Sequence, residues 1–170
     1  MNKQDFSIRD ARAQDIDEMV ELLEYLFCIE DDFTFNKNRQ RHGLAALLAD
    51  HERSIVKVAE QNSRVVGLCT AQISISTAEG GLSSRVEDLI VHKKFRKQGV
   101  ATALLQHIHS WAVSAGCVRM QLLADIRNEN ALGFYTRRGW IRTKMVCLNK
   151  NFAVHNTIYT TPSRRINSRR

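Results

Sequence analysis

A chain of 170 residues with 44% hydrophobic and 25% charged side chains has the size and make-up of one globular domain, which excludes disordered, collagen-like and low-complexity chains. Its longest wholly apolar run, Leu44 to Ala49, is far short of the roughly 20 residues of a membrane-spanning helix, and Asp5, Arg9, Asp10 and Arg12 interrupt any signal-peptide pattern, so a cytoplasmic protein with no membrane partner is expected. Of the net charge of +7, five charges come from Lys150, Arg164, Arg165, Arg169 and Arg170, with no acid after Lys150. A nucleic-acid-binding module would rest on that tail alone, which lacks interleaved aromatics, so this class ranks last.

In chain order, Phe6 to Arg9 reads as a short strand, and Ile16, Met19, Val20, Leu23, Leu26 and Phe27 form the stripe of an amphipathic helix. The loop Ile29 to Asn36 leads to a second helix with Leu44, Leu47 and Leu48, ending near His51. The β-branched runs Ser54 to Glu60 and Val65 to Ser76, split by Gln61, Asn62, Ser63 and Arg64, predict an antiparallel hairpin. A turn with Gly80 and Gly81 precedes a strand from Arg85 to Val91. Val100, Leu104, Leu105, Ile108, Trp111 and Ala112 then repeat at helical spacing up to Gly116. Val118, Met120, Leu122 and Ala124 alternate as a strand, Asn128 is a good N-cap for a last helix ending before Gly139, and Trp140 to Leu148 reads as a final strand. The expected domain spans residues 1–150, and residues 151–170 are expected to be a basic, mobile extension.

Cys28, Cys69, Cys117 and Cys147 form no C-x-x-C pair and sit in apolar stretches, as expected of buried free thiols. His107 and His109 point about 200° apart on a helix, and no metal is expected.

The stretch Glu87 to Leu105, EDLIVHKKFRKQGVATALL, runs from an apolar strand through a basic turn into a helix whose first turn holds Gly99 and Ala101. Such a helix start exposes unpaired N–H groups and the positive end of the dipole, a phosphate cradle in outline. It is neither a Walker loop nor a Rossmann fingerprint. About thirty residues later comes Asn128-Glu129-Asn130-Ala131-Leu132-Gly133-Phe134-Tyr135-Thr136-Arg137-Arg138-Gly139-Trp140. Together these motifs closely resemble the GNAT superfamily of N-acetyltransferases, with weaker likeness from Phe6 to Leu148. V-E-D-L-I-V with N-E-N-A-L-G-F-Y-T-R-R-G is also similar to diamine (spermidine/spermine) acetyltransferases.

The resemblance implies a mixed α/β fold whose mostly antiparallel central sheet is flanked by helices, with acetyl-CoA in a splay between the fourth and fifth strands. The pantetheine arm would then pair with Leu89, Ile90 and Val91. The pyrophosphate would sit on the turn and helix start formed by Arg96, Lys97, Gln98, Gly99, Val100, Ala101 and Thr102, and Asn128 would touch the cofactor chain. Ala101 stands where a final glycine is usual, Lys93 where proline is common, and Trp140 for phenylalanine.

Acetyl transfer to an amine needs the neutral nucleophile, yet an amine of pKa near 10.4 is unprotonated in only about one molecule in 10³ at pH 7. Glu87 is the expected base, directly or through water. Asp88, on the opposite face by strand alternation, is the alternative. Tyr135 occupies the family position of the acid that protonates the departing thiolate, and a main-chain N–H near Ile90 or Val91 would polarise the thioester carbonyl. Direct attack in a ternary complex needs no cysteine nucleophile. The acceptor is expected to be a small cationic amine, because nine acids and one base lie between Asp10 and Asp32, and Glu30, Asp31 and Asp32 would bind a second positive charge. A protein N-terminus or lysine is the alternative acceptor, a non-catalytic acyl-CoA sensor the alternative class, and a homodimer is left open.

Overall fold

The computed structural model describes residues 6–28 and 34–152. The chain divides into two units, Met1–Trp140 and Ile141–Arg170. The first contains β1 (Ser7–Asp10), α1 (Ile16–Phe27), α2 (Lys37–Ala49), β2 (Ser54–Gln61), β3 (Arg64–Ser76), β4 (Gly81–Val91), α3 (Val100–Ser114), β5 (Cys117–Leu122) and α4 (Glu129–Thr136). Short 3₁₀ turns at Ala13–Asp15 and Lys93–Phe95 lead into α1 and out of β4.

The sheet order is β1-β2-β3-β4-β5, antiparallel throughout except for the parallel β4–β5 pair. Hairpins join β2 to β3 and β3 to β4, whereas β4 reaches β5 through α3, the helical crossover that a parallel pair requires. The first hairpin turns at Asn62 and Ser63, both with positive φ, as a two-residue turn matched to strand twist demands.

Alternation along the strands feeds two cores. Met19, Val20, Leu22 and Leu23 of α1 and Leu44 of α2 pack with Val56, Val58, Leu68 and Ile90 on one face of the sheet. Val100, Leu104, Leu105 and Ile108 of α3 pack with Cys69, Ala71, Val86 and Val91 on the other. Met19, Leu68, Leu104 and Ile108 are fully buried, each stabilising the fold by about 1.5–3 kcal/mol over an exposed side chain. An ionic staple fixes the sheet's first edge: the Arg9 guanidinium grips both Asp15 oxygens at 2.7 and 2.9 Å and also bonds Glu60.

Three expectations need correction. β4 begins at Gly81 rather than Arg85, because the polar Ser83 and Ser84 hide a buried strand segment; both are at most 1% exposed. Cys69 is buried, but Cys28 and Cys147 are exposed and Cys117 is half-buried, so apolar neighbours in sequence did not mean burial. The final strand from Trp140 to Leu148 is not formed. Residues 141–152 carry no helix or strand, and Ile141, Met145, Val146 and Leu148 are exposed. Alternating side chains do not make a strand; a ladder partner does, and this stretch has none among the described residues.

Candidate active site

The site is built where β5 leaves β4. Their pairing runs from Leu82↔Cys117 to Val86↔Leu122 and stops. Beyond it the chain breaks away from the sheet in a turn that the Asp125 carboxylate organises, accepting the Arg127 N–H at 2.8 Å, and then enters α4 under an Asn128 cap. β4 continues five residues further, Glu87 to Val91, with β3 as its one strand neighbour among the described residues. About 16 Å of strand edge is therefore open on the β5 side. That is the expected splay between the fourth and fifth strands.

At the mouth of this opening β4 carries a bulge. Cys69 pairs with Leu89 but Ala71 with Val86, so the single residue Thr70 faces both Glu87 and Asp88. Thr70 locks the bulge: its hydroxyl donates to Asp88 Oδ2 at 2.7 Å and accepts the Asp88 N–H at 3.1 Å. Val86 and Leu89 both pack in the α3-side core although they are three apart, so alternation is broken between them. Glu87 and Asp88 consequently share the face that looks toward α1, which overturns the expectation that they lie on opposite faces; inserting one residue resets the period of two. Burial pushes the Asp88 carboxyl above its ordinary range, the Glu87 charge adds to the rise, and the Thr70 hydrogen bond opposes it. Glu87 is exposed and ion-paired to Arg85 at 2.5 Å.

At the far end of the open edge, Val91 leads through His92 into the basic turn. The Arg96 Nε donates to Val91 O at 2.9 Å and Gln98 Nε2 to Lys94 O at 3.0 Å. These two side chains brace the turn through main-chain carbonyls. Lys97 and Gly99 both have positive φ, and a Cβ at Gly99 would meet nothing within 4 Å. Among the described residues no side chain caps α3 at Gly99, so the first amides of the helix, Val100, Ala101 and Thr102, carry the unpaired donors of a helix start. The surroundings are electropositive: His92 is held below its ordinary pKa by burial and then by Lys94, Lys93, Arg96 and Arg64. An open strand edge, an uncapped glycine-led helix start and positive charge suit an extended amide chain ending in phosphates, so the residues present fit acetyl-CoA.

Of the expected cofactor residues, Leu89 and Val91 turn main-chain groups to the open edge, whereas Ile90, between them, turns its own to β3 because adjacent strand residues face opposite edges; Arg96 to Thr102 form the turn and helix start. Asn128 spends its side-chain oxygen on the α4 cap, accepting from Ala131 N at 3.0 Å. Tyr135, on α4, is half-buried against the α3-side core that also holds Leu89, Val91 and Ala101, its ring edge-on to Phe134 and Trp140 at 5.2 and 5.7 Å. Glu30, Asp31 and Asp32 lie outside the described residues. Much of the acidic segment before them is internally neutralised: Asp10 pairs with Lys57, Asp15 with Arg9, Asp17 with Arg41, and Glu18 accepts the Val65 N–H. Sequence reasoning missed Thr70, whose role exists only through pairing with a residue 18 positions on, and gave no task to Arg138, although it stands inside the second motif.

Residues 16–140 match the Acetyltransferase (GNAT) family. Solved structures similar to this one include a transcriptional regulator from Bacillus halodurans C-125, at TM-score 0.76 and 22% identity over 87% of this chain and 100% of that one. A possible acetyltransferase from Clostridium difficile 630 matches at TM-score 0.76 and 20% identity, covering 88% and 99%. The aminoglycoside N-acetyltransferase AAC(6')-Iy, solved in complex with CoA, matches at TM-score 0.75 and 17% identity, covering 88% and 96%. Fold and family are those of an acetyl-CoA-dependent N-acetyltransferase. The chain belongs to the GNAT acetyltransferase family. Among the described residues no helix is long and apolar enough to cross a membrane.

Proposed function

We propose that this enzyme acetylates the primary amine of a small cationic acceptor by direct attack in a ternary complex, with Glu87 as base and Tyr135 as acid. The observation that carries the reading is the bulge at Glu87–Asp88, which turns two adjacent carboxylates onto one face at the mouth of the open β4 edge. An ammonium group entering there meets two acids, and the pair attracts it before either takes its proton. Asp88 is tied to Thr70 through its side chain and its main chain and holds the bulge in shape. Glu87 is exposed, and its partner Arg85 is an exposed side chain that an arriving cation can displace. The geometry thus favours Glu87 over Asp88 for taking the proton.

Bound acetyl-CoA supplies an activated acyl thioester. Around it, the main chain of Leu89 and the N–H of Val91 offer pairing groups on the open edge, while Ile90 turns its own to β3, and the amides from Arg96 to Thr102 offer donors to phosphate. Tyr135 stands on α4, beside the same core as Leu89 and Val91, where its phenol would give a proton to the leaving sulfur. In this reading residues 1–150 are the catalytic domain.

The test is thiol release from acetyl-CoA with a panel of polyamines, aminoglycosides, amino acids and peptides. Turnover with polycationic small amines is expected, and Glu87→Gln should lower kcat/KM by about 10²–10⁴ with CoA affinity unchanged. Tyr135→Phe should lower kcat with little change in KM for the amine. Turnover confined to peptides would shift the acceptor to a protein amine, and wild-type rates in both variants would remove the two assignments.

A further inference from the structure

The paired arginines before Gly139 lie in the second motif, and one of them reaches the first. Arg138, just past the end of α4, donates through Nη1 to Phe134 O at 2.9 Å, stacks its guanidinium carbon 3.7 Å over the Phe134 ring, and donates through Nη2 to Thr102 Oγ1. Thr102 is the third residue of α3, within the helix turn whose amides are unpaired.

We propose that Arg138 is a phosphate-binding residue that closes the CoA diphosphate site from the α4 side, with Thr102 as its relay. This rests on the acetyl-CoA reading of the site and adds a ligand that the turn itself does not supply. α3 follows β4 and α4 follows β5, so the Arg138–Thr102 hydrogen bond spans the two sides of the opening between those strands. The side chains of Arg96 and Gln98 are drawn back to brace the turn, so a guanidinium on the opposite wall is the arginine fork placed at the helix start. It is held ready: the Phe134 ring fixes its plane, and the Phe134 carbonyl at the α4 C-terminus fixes one end. Two of the five N–H donors of Arg138 have partners among the described residues, which leaves donors for phosphate oxygens. Thr102 accepts from Arg138 and keeps its own hydroxyl proton for the same anion.

The experiment is calorimetric titration of the full chain with CoA, dephospho-CoA and desulfo-CoA, comparing wild type with Arg138→Gln, Arg138→Lys and Thr102→Val. Expected are Kd values about 10- to 100-fold weaker in Arg138→Gln for CoA and dephospho-CoA alike, with partial recovery in Arg138→Lys, which keeps the charge but loses the fork. Thr102→Val should weaken binding less, and much less when added to Arg138→Gln than alone. Unchanged affinity in Arg138→Gln would overturn the proposal, as would a loss seen with CoA but absent with dephospho-CoA, because the contact would then be to the 3′-phosphate. Should Arg138→Gln fold poorly, the Thr102→Val and Arg138→Lys arms decide, and wild-type affinity in both overturns the proposal. Failure of wild type to bind any of the three would instead refute the acetyl-CoA reading itself.

Discussion

Gly67 is the position where a single methyl group should disturb both stability and cofactor binding. It sits in the middle of β3, paired with Ala59 on one side and Val91 on the other. A Cβ there would lie 3.1 Å from Ile90 O, 3.2 Å from Leu104 Cδ1 and 3.3 Å from Val100 Cγ1. The nearest of these is a main-chain oxygen of β4 on the side paired with β3, and another belongs to the first residue of α3. Gly67→Ala therefore pushes the two walls of the proposed CoA site outward by a few tenths of an ångström. Overpacking of this kind costs about 1–3 kcal/mol, offset by about 0.5–1 kcal/mol from the lower chain entropy of alanine. A net loss of about 1–2 kcal/mol corresponds to a Tm about 2–8 °C lower. Gly43→Ala is the control: it lies inside α2 with nothing within 4 Å of its Cβ, so the same chemical change should raise Tm by a few degrees. Scanning calorimetry reads both, and titration with desulfo-CoA should show affinity several-fold weaker in Gly67→Ala alone. If Gly67→Ala melts at or above wild type and binds the analogue equally well, the close approach of α3 to the sheet is not what shapes the cradle.

Other outcomes follow from the charges. Arg9 holds the Asp15 carboxyl below its usual range, so the pair contributes stability above pH about 4 that is lost as pH falls through the folded value. Asp15→Asn should cost about 2 kcal/mol of stability at pH 7, seen as a lower Tm, with the gap narrowing as pH falls below about 4 in a melting series. Asp88 has the opposite sign: its carboxyl is raised by burial, so folding favours the protonated form and stability falls as pH rises through the folded value. Asp88→Asn, which still lets Thr70 donate to its side-chain oxygen, should melt higher than wild type at pH 8 and no higher at pH 4. A truncation ending at residue 150 should retain acetyl transfer with unchanged KM for acetyl-CoA, because every proposed catalytic and cofactor residue precedes it.

Much of the site is legible in the sequence. Gly99 and Ala101 after a basic turn announce a helix start open to an anion, since small residues and unpaired amides depend only on local sequence. Asn128 announces its own cap for the same reason. The face shared by Glu87 and Asp88 is not legible: alternation predicts opposite faces, and only the unequal count of residues between two pairs on neighbouring strands reveals the bulge. The acidic segment from Asp10 to Glu24 is legible as charge but not as pairing, because Arg9, Lys57, Arg41 and Val65 reach it from elsewhere in the fold.

The order of strands and helices, the apolar stripes of α1 and α3, and the two motifs belong to the sequence, because periodicity, capping and turn chemistry act over a few residues at a time. Tertiary structure alone decided that β5 stops at Leu122 while β4 runs on to Val91, that Thr70 locks the Glu87–Asp88 bulge, and that Arg138 meets Thr102. Each of these depends on where two distant segments come into register, and register is set by the packing of the whole sheet between its two cores.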